Sequence, residues 1–177
     1  MAAFLLIAGT SMGQKSQTVT VGSNLIGVGF GPGRAYHGGT GFGPAFRLHY
    51  EHGTFKAGPG VITLGGSFGY SFHNYTYKIG DERYGGTWTS FGAGVRAAWH
   101  CSWGVPKLDT YAGAAGGVRI DGYNRKHDYE PKPDYNPANP YFGGFIGAAY
   151  YFHPNVGVLL EAGYDISHAT IGLDFMF

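Results

Sequence analysis

Residues 161–177 read E-A-G-Y-D-I-S-H-A-T-I-G-L-D-F-M-F, and the last eight of them decide the fold. From Thr170 onward the side chains alternate without a break. Ile171, Leu173, Phe175 and Phe177 share one parity; Thr170, Gly172, Asp174 and Met176 share the other. Successive side chains of a strand point to opposite faces, so this stretch is a strand with one apolar and one polar face. It stops on an aromatic residue with no polar tail. A soluble protein seldom ends a strand on an exposed Phe, whereas a barrel that pairs its last strand with its first inside a membrane can do so.

The same period-two pattern recurs upstream. It predicts strands over 19–30, 44–51, 60–73, 87–100, 108–121, 141–152 and 156–166, eight in all with the last. On the second, Phe46, Leu48 and Tyr50 oppose Arg47, His49 and Glu51; on the fourth, Phe91, Val95 and Trp99 oppose Ser90, Gly94 and Arg96. The sixth is aromatic on both parities, which leaves its faces open. His52-Gly53, residues 101–107 and His153-Pro154-Asn155 read as short turns. The stretches 31–43, 73–87 and 122–140 read as long polar connections after the first, third and fifth strands. An even number of antiparallel strands with short turns on one side and longer loops on the other is the plan of an outer-membrane barrel. The expected fold is therefore all-β: an eight-stranded antiparallel up-and-down transmembrane β-barrel.

Composition agrees. Thirty-three of 177 residues are Gly, 17% are aromatic and only 13% are charged, which suits short twisted strands and excludes a disordered chain. The net charge is +1 and no basic run exceeds Arg125-Lys126, so no nucleic-acid partner is expected. Cys101 is the only cysteine, which excludes an internal disulfide. Residues 2–8 are apolar, and Ser11-x-Gly13 precedes Gln14. Residues 1–13 thus read as a signal-peptide-like segment without a basic start, and 14–177 as the barrel domain. A buried first strand is the other reading of that segment. No apolar run reaches the ~18 residues of a transmembrane helix, so any crossing is made by strands.

Alternation alone does not say which face is inside. A soluble lipocalin-like barrel would keep its apolar face inward around a ligand. Here the polar parity is mostly Gly, Ala, Ser and Thr with isolated charges, which fits a crowded lumen better than a solvated surface dense in Lys and Glu. Arg47, Arg96 and Arg119 are then expected to pair inside with Glu51, Asp109, Asp121, Glu161 and Asp174, and above all Arg96 and Arg119 with Glu161. Leu64, Val95, Leu160 and Leu173 are expected to face lipid, and Trp88, Trp99, Tyr150 and Phe152 to form girdles.

G-V-R-A-A-W-H (94–100), L-D-T-Y-A-G-A-A-G-G (108–117), G-A-A-Y-Y-F (147–152) and the segment 161–177 resemble the small eight-stranded outer-membrane β-barrel proteins of Gram-negative bacteria, the porin-like family. The resemblance covers most of the chain after residue 13 and implies a place in the cell outer membrane. It also implies that Ile171, Leu173, Phe175 and Phe177 form the signal read by the outer-membrane assembly machinery. Family members commonly carry Lys before the final Phe; Met176 stands there here, with the parity kept. Roles within the family are diverse, so location follows more readily than activity.

Chemistry-bearing residues are sparse. His49-Tyr50-Glu51-His52 is the densest histidine cluster, but His49 and Glu51 share a face that His52 leaves, and a metal needs converging ligands. The histidines read as girdle and loop residues. Lipid A deacylases of this barrel type use a Ser–His pair, and Ser167-His168 is the nearest candidate, yet neighbours on a strand point apart. Gly29–Gly33 lacks the Lys-Ser/Thr of a phosphate loop. No metal, cofactor or catalytic set is expected. The preferred reading is a monomeric, non-enzymatic barrel with a side-chain-filled lumen. Its partners would be outer-membrane lipid, the assembly machinery and an extracellular ligand of its loops. Tyr75, Tyr77, Tyr84, Tyr129 and Tyr135 are the candidate loop contacts. A soluble ligand-binding barrel and, less favoured, a lipid-modifying hydrolase are the alternatives.

Overall fold

Eight strands close into one antiparallel barrel in the computed structural model, which describes residues 19–33, 43–80, 82–125, 136–163 and 167–177. They are β1 (Asn24–Pro32), β2 (Pro44–Ala57), β3 (Gly60–Ile79), β4 (Glu82–Cys101), β5 (Leu108–Arg125), β6 (Ala138–His153), β7 (Val156–Gly163) and β8 (Ala169–Met176). Each pairs with its neighbours in sequence, and β1 pairs with β8 from Leu25↔Met176 to Phe30↔Ile171. Asn24 and Phe177 exchange backbone hydrogen bonds of 2.7 and 3.0 Å and lock that seam. The segment 1–13 lies outside the described residues.

Beyond shifts of a few residues at strand ends, such as β5 running on to Arg125 and β6 beginning at Ala138, three boundaries differ from the sequence reading. β2 runs through His52-Gly53 and turns at Gly58-Pro59, where Gly58 adopts φ 59°. Gly53 marks a register shift rather than a turn. There the chain before β1 docks: Gly22 N–H donates to Gly53 O, Gly53 N–H donates to Ser23 O, both at 2.8 Å, and a Cβ on Gly53 would stand 2.2 Å from Thr20 O. Residues 19–23 are accordingly not part of β1. The third difference is the largest. Most of the stretch 73–87 is ladder, not loop: β3 and β4 stay paired from His73↔Trp88 to Ile79↔Glu82. Its Tyr and Thr residues favour a pleated backbone, and polarity there means only that the strand has left the lipid.

The faces sort as the alternation predicts. Leu64 (46% exposed), Val95 (73%), Leu160 (58%) and Leu173 (40%) point outward. Arg47, Glu51, Arg96, Asp109, Asp121, Glu161 and Asp174 are buried inside. The ambiguous β6 resolves with Phe142, Ile146, Tyr150 and Phe152 outside and Phe145, Ala149 and Tyr151 inside. Trp88 is a correction: it shares its parity with Ser90 and Arg96, is buried, and lies tilted against Tyr123, ring centres 4.8 Å apart, instead of joining a girdle. An apolar cluster of Val19, Leu25, Val61, Ala149, Tyr151 and Met176 plugs the end of the barrel that carries the short turns.

Candidate functional site

The lumen is built from one parity of every strand. Glu161 of β7 is its centre. Arg47 of β2 donates through Nη1 to Glu161 Oε1, while Arg96 Nη2 of β4 and the Tyr111 hydroxyl of β5 each donate to Oε2 at 3.0 Å. Arg96 also bridges to Glu51, its Nε lying 2.6 Å from Oε1. Glu51 Oε2 accepts from the Thr63 hydroxyl and faces His100 Nε2 at 3.0 Å, while His100 Nδ1 faces Asp109 Oδ2 at 2.7 Å. Both ring nitrogens of His100 thus meet carboxylates, an arrangement satisfied when each carries a proton. Tyr151 donates to Asp174, whose other oxygen stands 3.9 Å from His49 Nε2.

Sequence makes this crossing possible. Gly65 on β3 sits between Glu51 and Arg96 in the ladders, and a Cβ there would lie 1.8 Å from Tyr50 O. Apolar rings fill what the charges leave: the Arg96 guanidinium lies 4.0 Å from the Phe145 ring centre, and His100 stacks on Tyr111 at 5.0 Å. Buried this deeply an unpaired charge is costly, and Arg47, Arg96, Glu51 and Glu161 each meet an opposite charge, while Asp174 Oδ1 and His49 Nδ1 make no hydrogen bond among the described residues.

Arg119 does not join this set. Its guanidinium pairs with Asp121 on its own strand, Nη2 to Oδ2 at 2.9 Å, and Asp121 also accepts from the Ser90 hydroxyl at 2.7 Å. The expected Arg119–Glu161 contact is absent among the described residues, because the two sit at different heights: Arg119 pairs across to Gly92, whereas Arg96, four residues further along β4, reaches Glu161. Double-mutant cycles of Arg119 with Glu161 should therefore come out additive within about 0.5 kcal/mol, while Arg96 with Glu161 should not. Unfolding titrations in lipid measure both; coupling of the first pair would overturn this layout.

Three histidines also move. His49, His73 and His100 are buried lumenal residues, not girdle or loop residues. His49 shares its parity with Arg47 and His100 with Arg96, and His73 continues the inward parity of Thr63 and Ser71 on β3. Thr63, Ser90, Tyr111 and Tyr151 complete the network and carry no sequence mark beyond parity. Ser167 is buried and donates to the carbonyls of Pro32 (2.9 Å) and Ala169 (2.6 Å), while His168 is exposed. Among the described residues, no three His, Cys, Asp or Glu converge to hold a metal. Tyr129 and Tyr135 lie outside the described residues. Tyr75, Tyr77 and Tyr84 fall on the paired outer ends of β3 and β4, and their side chains lie outside the description.

A closed eight-stranded barrel that is apolar outside and charged inside is a transmembrane β-barrel, and barrels of this build belong to outer membranes. The lipocalin-like alternative needs the opposite sorting and is excluded by the outward Leu64, Val95 and Leu160. No protein-family model and no curated protein matches the sequence. Among solved structures, the chain is similar to the crystal structure of Ail, the attachment invasion locus protein of Yersinia pestis. The identity is 12%, the TM-score 0.48, and the match covers 88% of this chain and 99% of that one. It is also similar to Ail in complex with the heparin analogue sucrose octasulfate (12%, TM-score 0.42) and to the backbone structure of Ail in a phospholipid bilayer nanodisc (14%, TM-score 0.42), each over the same shares of both chains. At these levels the likeness brings no residue role and no ligand to this chain.

Proposed function

We propose that the barrel is a non-enzymatic, monomeric mount for a recognition surface outside the cell. The observation that carries this reading is the height of β3 and β4. The β2–β3 ladder stops at Ala45↔Ser71, whereas β3 and β4 remain paired to Ile79↔Glu82, and β4 with β5 to Gly86↔Arg125. A ribbon, three strands wide at its base and two at its tip, rises beyond the rest of the wall. Among the described residues no strand pairs with the β2-side edge of β3 past Ser71. Such an edge offers backbone donors and acceptors to an extended segment of a partner, with alternate side chains for selectivity. The ribbon and the ends of β1 at Pro32 and of β5 at Arg125 share one end of the barrel; Val19, Phe177 and the three short turns share the other. Polar connections cannot cross lipid readily, which favours short turns in the periplasm and the ribbon outside. The lumenal network fills the barrel interior, and no general pore is expected. Ile171, Leu173, Phe175 and Phe177 form an outward stripe suited to the assembly machinery.

Replacing residues 74–87 by Asn-Gly tests the recognition role. The shortened barrel should keep the heat-modifiable gel migration of a folded one, while cells displaying it lose adherence to immobilised matrix proteins or host cells. Unchanged adherence would sink the ribbon as the binding element. Protease added to whole cells should cut within 122–140 and spare the turns near 58, 104 and 154. The reverse cutting pattern would invert the topology.

A further inference from the structure

The outer wall is not smooth. Across β5, β6, β7 and β8 the ladders align Ala112 with Ile146, Ile146 with Ala162, and Ala162 with Ala169. All four are exposed and lie on the outward parity. Side chains directly opposite each other on neighbouring strands stand side by side on one face. One branched side chain therefore rises between alanines, a ridge on β6 with low ground to either side.

Two hollows follow from this pattern. One, of about 660 Å³, lies over Ala162 and Ala169, with Phe30, Pro32, Leu160 and Ile171 around it. Phe30 pairs with Ile171, and Ile171 with Leu160, so these three form a continuous step on the short-turn side of the alanines. The other hollow, of about 600 Å³, lies over Ala112, Gly113 and Gly144, with exposed His168 among its walls. Ile146 and Ala162 line both. Ile146 stands midway along β6 and Leu160 midway along β7, so both hollows are continuous with the wall that faces hydrocarbon. Water gains no hydrogen bonds in such apolar hollows, whereas hydrocarbon gains dispersion contacts. A chain lying on a flat wall meets protein on one side; in a hollow it meets a floor and two flanks. Adjacent strands are about 4.8 Å apart, so the low ground on β5 and on β7 is about 10 Å apart with Ile146 between. That spacing seats two chains rather than one.

We propose that the two hollows seat the two acyl chains of one phospholipid, which straddles Ile146 with its headgroup at the loop end of the wall. The step of Phe30, Ile171 and Leu160 places the headgroup there, because it bounds the first hollow on the opposite side. The site rests on the lipid-facing parity of β5 to β8. It does not depend on the recognition role of the ribbon or on which side of the membrane the loops stand.

The test is native mass spectrometry of the detergent-solubilised barrel equilibrated with equal concentrations of phosphatidylcholine and of its one-chain lyso form. The wild type should carry a single two-chain lipid and favour it over the lyso form by about tenfold, the weight of roughly ten dispersion contacts. Ala112→Phe and Ala169→Phe each fill one hollow, and each should bring the two lipids to near-equal retention. The two together should remove the bound lipid. Val95→Phe, on the same outward surface but away from the hollows, should change nothing. All three positions are exposed, and heat-modifiable migration verifies that each variant is folded. Equal retention of the two lipids by the wild type, or a preference untouched by the filled variants, would overturn the proposal. Displacement of phosphatidylcholine by an equal concentration of lipid A would assign the hollows to a lipid with more chains and overturn the two-chain lipid. A lipid-free dimer that the filled variants lose would give the surface to a second copy and overturn it likewise.

Discussion

Arginine in place of Leu160 should destabilise the folded barrel in lipid vesicles by about 2–4 kcal/mol. Leu160 lies mid-strand on β7, is 58% exposed, and points away from the buried Leu159 and Glu161 on either side of it. Its surroundings in the folded state are hydrocarbon, where a guanidinium has neither water nor a partner. Depth decides the size of the effect. Phe152→Arg, on the same outer surface but beside the turn at 154–155, should cost about 0–1 kcal/mol, because a long side chain there reaches the interface. Urea titrations of the two variants in vesicles, with Leu160→Ala as the control for lost size, give the comparison. Equal costs at both depths would mean that this surface is not immersed in lipid.

Removing Glu161 should be at least as damaging, by a different route. Glu161→Ala leaves Arg47, Arg96 and Tyr111 without the carboxylate on which all three converge. Breaking a buried pair by deleting one partner costs about 3–5 kcal/mol, because the other charge stays in a poorly solvating interior. Restoring neutrality should recover much of the loss: with Arg96 replaced by Met, the further cost of Glu161→Ala should fall by roughly 1–3 kcal/mol. Phe145 already lies against the Arg96 guanidinium and would take the Met side chain. A Glu161→Ala barrel less than 1 kcal/mol weaker than wild type would show that water or the remaining partners, Glu51 beside Arg96 among them, compensate the two cations.

The parity of residues was legible in the sequence because it is a local property. Ile171, Leu173 and Phe175 on one face fixed Thr170, Gly172 and Asp174 on the other, and the same rule placed Arg47, Glu51 and Arg96 together inside. Heights were not legible. Which carboxylate an Arg meets depends on the stagger between strands, and Arg119 and Arg96 look alike until the register separates them. Polarity misled twice for a single reason. The stretch 73–87 is polar because it stands in water, not because it is irregular, and His52-Gly53 carries a turn composition where glycine instead admits a neighbouring backbone. Trp88 is aromatic like a girdle residue, but its parity with Ser90 and Arg96 places it inside.

The wall of this barrel is uneven: β3 and β4 hold 20 residues each, and β7 and β8 hold 8 each. Eight residues at about 3.3 Å rise and a tilt near 45° reach roughly 19 Å along the membrane normal, short of the ~25 Å apolar belt usual for such barrels. The hydrophobic mismatch is confined to one side. A bilayer answers a short wall by thinning beside it, and a rigid cylinder answers by leaning. Because β7–β8 and β3–β4 stand across the barrel from each other, a lean that relieves the short side carries the tall ribbon off the normal. If the ribbon lies outside the cell, as proposed, that lean presents its flank rather than its tip to an approaching partner.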